Sequence, residues 1–91
     1  MINHDNRINC ISYIVSKILN IDILKAKDYV LESNIGKSIL DNNEVVLYDQ
    51  STANAYDIFK ELKMKDIICE LPDCEDITKY YLEYLRLNQR R

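Results

Sequence analysis

A chain of 91 residues, 47% apolar and 30% charged, has material for one domain around one core, because a chain this short buries only about 60–65% of its unfolded surface. That balance is too hydrophobic for intrinsic disorder, and no uncharged run is long enough to span a membrane. A formal charge of −3 disfavours a protein whose main task is gripping phosphate backbones, which needs a clustered basic face, so nucleic acid is an unlikely partner class.

One Gly and one Pro in the whole chain leave little for the tight turns of a sandwich or barrel. The expected fold is therefore all-α, a compact bundle of about five helices in a single domain, with residues 1–5 and 89–91 frayed. The first helix is expected at 6–19, where Ile8, Ile11, Val15 and Ile18, widened by Ile14 and Leu19, recur with a period near 3.6. Asp22 then stands as an N-cap whose carboxylate accepts backbone N–H groups of a second helix at 22–33, with Ile23, Ala26, Val30 and Leu31 toward the core. Gly36 is read as the left-handed residue that closes this helix. The short apolar runs Ile39-Leu40 and Val45-Val46-Leu47-Tyr48 fit helix or strand, and a helix at 38–48 is the expectation.

Ser51 or Thr52 is expected to cap a helix at 52–63 with Ala55, Ile58, Phe59 and Leu62 buried. Ile67, Ile68 and Leu71 extend it as a second piece at 65–71, broken or bent at Met64-Lys65-Asp66, before Pro72 ends it. Asp73 caps the last helix at 73–88, whose acidic first turn (Glu75, Asp76) and basic far end (Arg86, Arg90, Arg91) match the macrodipole. Ile77, Tyr81, Tyr84 and Leu85 share one face of it, with Tyr80 and Leu87 to the side.

The familiar chemistries lack their parts. A nucleophile relayed through histidine needs an imidazole held by its neighbours, and the one histidine, His4, stands in a polar terminal segment. Gly36-Lys37-Ser38 resembles the end of a phosphate-binding loop but has no upstream glycine, and a helix C-cap explains Gly36 better. Cys69 and Cys74 are five apart around Pro72, away from the usual zinc spacing, and only Cys10 and His4 remain as further soft ligands. Cys10 and Cys69 are expected to be small buried hydrophobes. No metal and no cofactor is expected, and the chain is read as not an enzyme.

What remains is an acidic segment and an aromatic helix. Glu70, Asp73, Glu75 and Asp76 form the densest acidic cluster, which helix capping explains except for Glu70 and which also suits a basic docking partner. Tyr80, Tyr81 and Tyr84 exceed one narrow core stripe, so one or two of them are expected to be exposed, as tyrosines at interfaces are. The polar start of the chain lacks the n-region and apolar stretch of a signal peptide, and Cys10, Cys69 and Cys74 cannot all pair within one chain. A cytoplasmic location with reduced thiols is expected.

Two leading helices and a short Ile/Leu segment are followed by Leu47-Tyr48-Asp49-Gln50-Ser51 and then Tyr56-Asp57-Ile58. In this layout the segment from about residue 8 to 59 resembles a family of small bacterial proteins known as domain of unknown function 3791. In that family the landmark reads Leu-His-Thr-Gln followed by Gly or Ser. Tyr48 and Asp49 stand here in place of His and Thr, so no role of that histidine carries to Tyr48. The resemblance implies a small helical cytoplasmic bacterial protein of no established activity, often found beside toxin-like ADP-ribosyltransferase relatives, and by analogy an antitoxin or accessory role.

The expected function is accordingly a protein-binding module, a neutralising partner of a toxin or enzyme, acting through Glu70, Asp73, Glu75, Asp76, Tyr80, Tyr81 and Tyr84. One alternative is a phage or mobile-element inhibitor that blocks a positively charged defence enzyme through its field. Another is a helix-turn-helix transcriptional regulator built on 52–63 and 65–71, although Lys60, Lys63 and Lys65 are offset there by Asp57, Glu61, Asp66 and Glu70. Self-association is a further expectation, the helix carrying Tyr80, Tyr81 and Tyr84 packing against its twin in a homodimer.

Overall fold

The computed structural model describes residues 4–41 and 51–88, with side chains from Arg7 onward in the first segment. Its elements among these residues are α1 (His4–Leu19), α2 (Ile23–Glu32), α3 (Asn34–Leu40), α4 (Ser51–Met64) and α5 (Cys74–Asn88), with no strand. The all-α expectation holds.

Helix α1 is the centre of the bundle, touched by each of the other four helices. Its apolar stripe is therefore wider than one face: Ile8, Cys10, Ile11, Ile14 and Val15 are all buried. Ser12 is buried with them and satisfies its hydroxyl by donating to the Ile8 carbonyl at 2.7 Å. Ala26 and Val30 of α2, Ile39 of α3, Ala55, Ile58, Phe59 and Leu62 of α4, and Ile77 of α5 complete the core.

The helix ends are set by backbone geometry more than by side-chain caps. Asn20 takes φ 56, and the Ile21 N–H returns to the Ser16 carbonyl at 3.1 Å, the 6→1 bond of a Schellman ending. Asp22 holds the expected N-cap position with extended backbone, and its carbonyl accepts the Ala26 N–H at 3.0 Å. Its side chain makes no cap hydrogen bond, a correction to the expected carboxylate cap: the exposed carboxylate stays in solvent. Ile23 is 44% exposed instead of buried. It shares a stripe with Val30 but lies at the helix end, where the core no longer covers it.

The largest correction concerns Gly36. It is not a left-handed C-cap, since no glycine has positive φ; it lies in the first turn of α3. The break between α2 and α3 is made by Ser33, which is extended (φ −75, ψ 158) and serves as C-cap of one helix and N-cap of the next. The Ser33 hydroxyl donates to the Val30 carbonyl at 2.6 Å and accepts the Gly36 N–H at 2.9 Å. This bridge draws the start of α3 so close to α2 that a Cβ on residue 36 would stand 1.9 Å from the Val30 carbonyl oxygen. Glycine is needed here for close approach. The helix expected at 38–48 thus begins earlier and stops at Leu40, with Asp41 as C-cap, and residues 42–48 lie outside the described residues.

Ser51 is the first residue of α4 rather than its cap, and the buried stripe of Ala55, Ile58, Phe59 and Leu62 is as expected, with Asn54 buried beside it. The helix expected at 65–71 does not form. Asp66 takes φ 59, its N–H bonds the Lys63 carbonyl at 3.0 Å, and the Ile67 N–H bonds that of Leu62 at 2.9 Å, a complete Schellman ending. The left-handed residue turns the chain away, and Pro72 disfavours helical backbone at Leu71, so the intervening residues are too few to start a new helix. Without this second helix the helix-turn-helix pair expected at 52–63 and 65–71 does not form. The Asp73 carbonyl then accepts the Ile77 N–H at 3.2 Å and opens α5 where Asp73 was expected to cap it.

Candidate functional site

Helix α5 lies against both α1 and α4, and this double contact decides what its tyrosines do. Ile77 is buried, and Tyr80, Tyr81 and Tyr84, three, four and seven residues on, are all half-buried and packed on the core. The expectation that one or two would be exposed is corrected. A helix seated in a seam between two others buries a broad stripe, wide enough for three rings. Leu85 is half-buried and Leu87 is exposed.

Tyr84 is further tied to α1. Its ring stacks on Tyr13 with centroids 5.5 Å apart at 52°, and the Tyr13 hydroxyl donates to the Glu83 carboxylate, 70 residues away in sequence. The Lys17 ammonium stands 5.4 Å from the centre of the Tyr13 ring. Burial in this seam, then the bond to anionic Glu83, push the Tyr13 phenol up to about 12. Burial likewise raises Tyr84 above the ordinary tyrosine value, with nearby Cys10 adding to it. These groups stay neutral and clasp α5 to α1.

The carboxylates behave differently. Glu70, Asp73, Glu75 and Asp76 are all exposed, gathered on the irregular segment before α5 and on its first turn. No basic residue interrupts residues 70–76. At Cys74 this segment meets a groove of about 220 Å³ between α4 and α5, lined by Thr52, Ala53, Tyr56, Cys74, Ile77 and Thr78. It is smaller than the roughly 300–1,000 Å³ of small-molecule pockets, room for one or two apolar side chains. Lys60, 5.5 Å from the Tyr56 ring and 3.7 Å from Asp57, stands at its α4 border.

Of the thiols, Cys10 is buried as expected, while Cys69 is exposed, a correction, and so is Cys74. Without the 65–71 helix the segment turns Ile68 and Leu71 onto the core and leaves Cys69 between them in solvent. Burial pushes the Cys10 thiol up to about 11 despite the Ser51 hydroxyl and the charge of Arg7 beside it. Among the described residues no three His, Cys, Asp or Glu side chains group closely enough to hold a metal ion. Of the family-like motif, Leu47, Tyr48, Asp49 and Gln50 lie outside the described residues, and Ser51 opens α4.

The groove between α4 and α5 and the Tyr13–Glu83 clasp were not anticipated from the sequence. Tyr13 interrupts the polar side of α1, and that lone aromatic was the one available signal. Glu61 gave none: its two carboxylate oxygens each accept the Asn34 N–H at 3.1 Å, placing a negative charge at the start of α3. The chain matches no protein-family model, no curated protein and no solved structure.

Proposed function

We propose that this chain is a protein-binding module whose contact surface combines the acidic segment 70–76 with the adjoining groove between α4 and α5. The observation that carries the reading is a junction at Cys74, which lines an apolar groove sized for one or two side chains and stands in the chain between the exposed carboxylates of Asp73 and Glu75. Interfaces place an apolar anchor in a pocket and surround it with polar, steering charge. The natural partner is a basic surface with a protruding apolar residue. A neutralising or accessory role toward a toxin or other enzyme belongs to this reading through the family resemblance, of whose landmarks Tyr56 lines the groove. The tyrosines enter it as supports that hold α5 in place. Three free cysteines accord with a reducing cytoplasm, and no described helix is long and apolar enough to cross a membrane.

The test is a pull-down from the native host with the intact chain and with Asp73→Lys, Glu75→Lys and Asp76→Lys combined. Loss of a specific partner from a variant that keeps its helical circular dichroism is the expected result. A variant that retains every specific partner refutes the surface.

A further inference from the structure

The side of α5 turned away from the core carries a second pattern. At 100° per residue, Glu75, Lys79, Leu82 and Arg86 line up opposite Ile77, Tyr80, Tyr81 and Tyr84. All four are exposed, Leu82 at 57%. Their spacing of four, three and four residues is that of a heptad seam, the arrangement by which one helix lies along another. A shallow depression over Glu75, Thr78, Lys79 and Leu82 follows the same line.

The charges along this seam are ordered. Acidic Glu75 and Asp76 stand at one end, Lys79 in the middle and Arg86 at the other end. Two copies in parallel would set Glu75 against Glu75, Lys79 against Lys79 and Arg86 against Arg86, repulsive at each contact. Two copies antiparallel about a two-fold axis place residues of constant number sum opposite each other. Centred on this seam, Glu75 faces Arg86 of the second copy at both ends, Asp76 lies beside the same arginine, and on each side of the axis Leu82 packs against the aliphatic stem of Lys79 from the second copy. A surface that complements itself under a two-fold rotation is what an isologous dimer requires.

We infer that this face of α5 is a homodimerisation seam, pairing antiparallel with the same helix of a second copy. The partner is another copy of the chain, and the inference does not rest on the proposed function. Because Glu75 and Asp76 belong to both surfaces, self-pairing and partner binding compete. The contact is confined to one pair of 15-residue helices, about 22 Å long, with a single exposed leucine from each copy. The dimer is weak and is loosened by salt, because its pairs are exposed charges.

Sedimentation equilibrium of the full chain from about 10 µM to 1 mM tests it, comparing the natural sequence with Glu75→Arg, Arg86→Glu and the two combined. The expected mass climbs from 10.8 kDa toward twice that value. Each single reversal turns two attractive pairs repulsive and lowers association about 10-fold or more, and the double reversal restores it. All of these positions are exposed, and circular dichroism checks that each variant is folded. Concentration-dependent NMR shifts of the natural chain, expected at Lys79, Leu82 and Arg86, give a readout that needs no substitution. A chain that stays monomeric to 1 mM overturns the inference, as does a dimer indifferent to both single reversals, a double reversal that restores nothing, or shifts confined to another face.

Discussion

Replacing Gly36 by alanine puts one methyl group where α2 and α3 meet. Its carbon would stand 1.9 Å from the Val30 carbonyl oxygen, 2.9 Å from the Val30 carbonyl carbon and 3.2 Å from the Ser33 hydroxyl oxygen. Ordinary contacts between carbon and oxygen begin near about 3.3 Å, so the two helix ends must part by roughly 1 Å or more. Parting them stretches the Ser33 bridge, which holds the Gly36 N–H at 2.9 Å and the Val30 carbonyl at 2.6 Å. Loss of that cap costs about 1 kcal/mol, and forcing an extra carbon into a packed junction costs about 1–3 kcal/mol. Alanine's better helix propensity returns about 1 kcal/mol. The net destabilisation is about 1–3 kcal/mol, and each kcal/mol lowers Tm by about 4–8 °C in a domain this size.

Urea unfolding followed at 222 nm measures it, with Ser33→Ala as a control that removes the cap without adding a methyl. The control should lose about 1 kcal/mol. The double variant should lose less than the sum, because both substitutions act on one bridge. An alanine variant as stable as the natural chain, or more stable, would refute the close approach. It would also return Gly36 to the role of an ordinary helix residue of poor propensity.

The Tyr13 clasp predicts a pH effect: a free tyrosine loses its proton near 10 while Tyr13 holds it to about 12, so its contribution is complete below pH 10 and is lost between pH 10 and 12. Denaturant midpoints across that window should fall more for the natural chain than for Tyr13→Phe, and equal slopes would dismiss the clasp. In Glu83→Ala, ultraviolet titration should bring Tyr13 down without reaching the free value, because burial is the larger cause. With a thiol reagent at pH 8, Cys69 and Cys74 should react quickly and Cys10 only as fast as the fold opens; three equal rates would contradict the burial of Cys10. Asp66→Gly should stabilise by about 0.5–1 kcal/mol by relieving the left-handed backbone at φ 59, and a loss of stability would show that its carboxylate matters more than its backbone. Glu61→Ala should cost about 1 kcal/mol by stripping the Asn34 N–H of its acceptor, and an unchanged urea midpoint would make that contact incidental.

The candidate surface was only half legible. Glu70, Asp73, Glu75 and Asp76 could be found by reading along the chain, because helix-start chemistry is local and leaves carboxylates in solvent. The groove beside them could not, since it is made of side chains from α4 and α5 that meet only when those helices pack. The tyrosines show the limit most clearly: their spacing was plain, but whether a ring at a helix margin is buried depends on how many neighbours the helix has. With α1 and α4 both against α5, the margin became part of the seam.

The sequence by itself determined that the chain is helical, where α1, α2, α4 and α5 run, and most of the residues of each that form the core, Ile23 excepted, because a period of 3.6 in apolar residues needs no knowledge of the partner surface. It also marked Asp22 and Asp73 as helix boundaries, through backbone that must leave the helix there. Only the tertiary structure decided that Ser33 divides α2 from α3 and that Gly36 is there for space. It also decided that Asp66 ends α4 for good and that Tyr13 reaches Glu83. The last depends on a distance between segments that chain order does not specify, and the others on local backbone angles that residue type does not fix. The single glycine looked like a turn because turns are the commonest local reason for one, and it proved to be a point where two helices approach backbone to backbone.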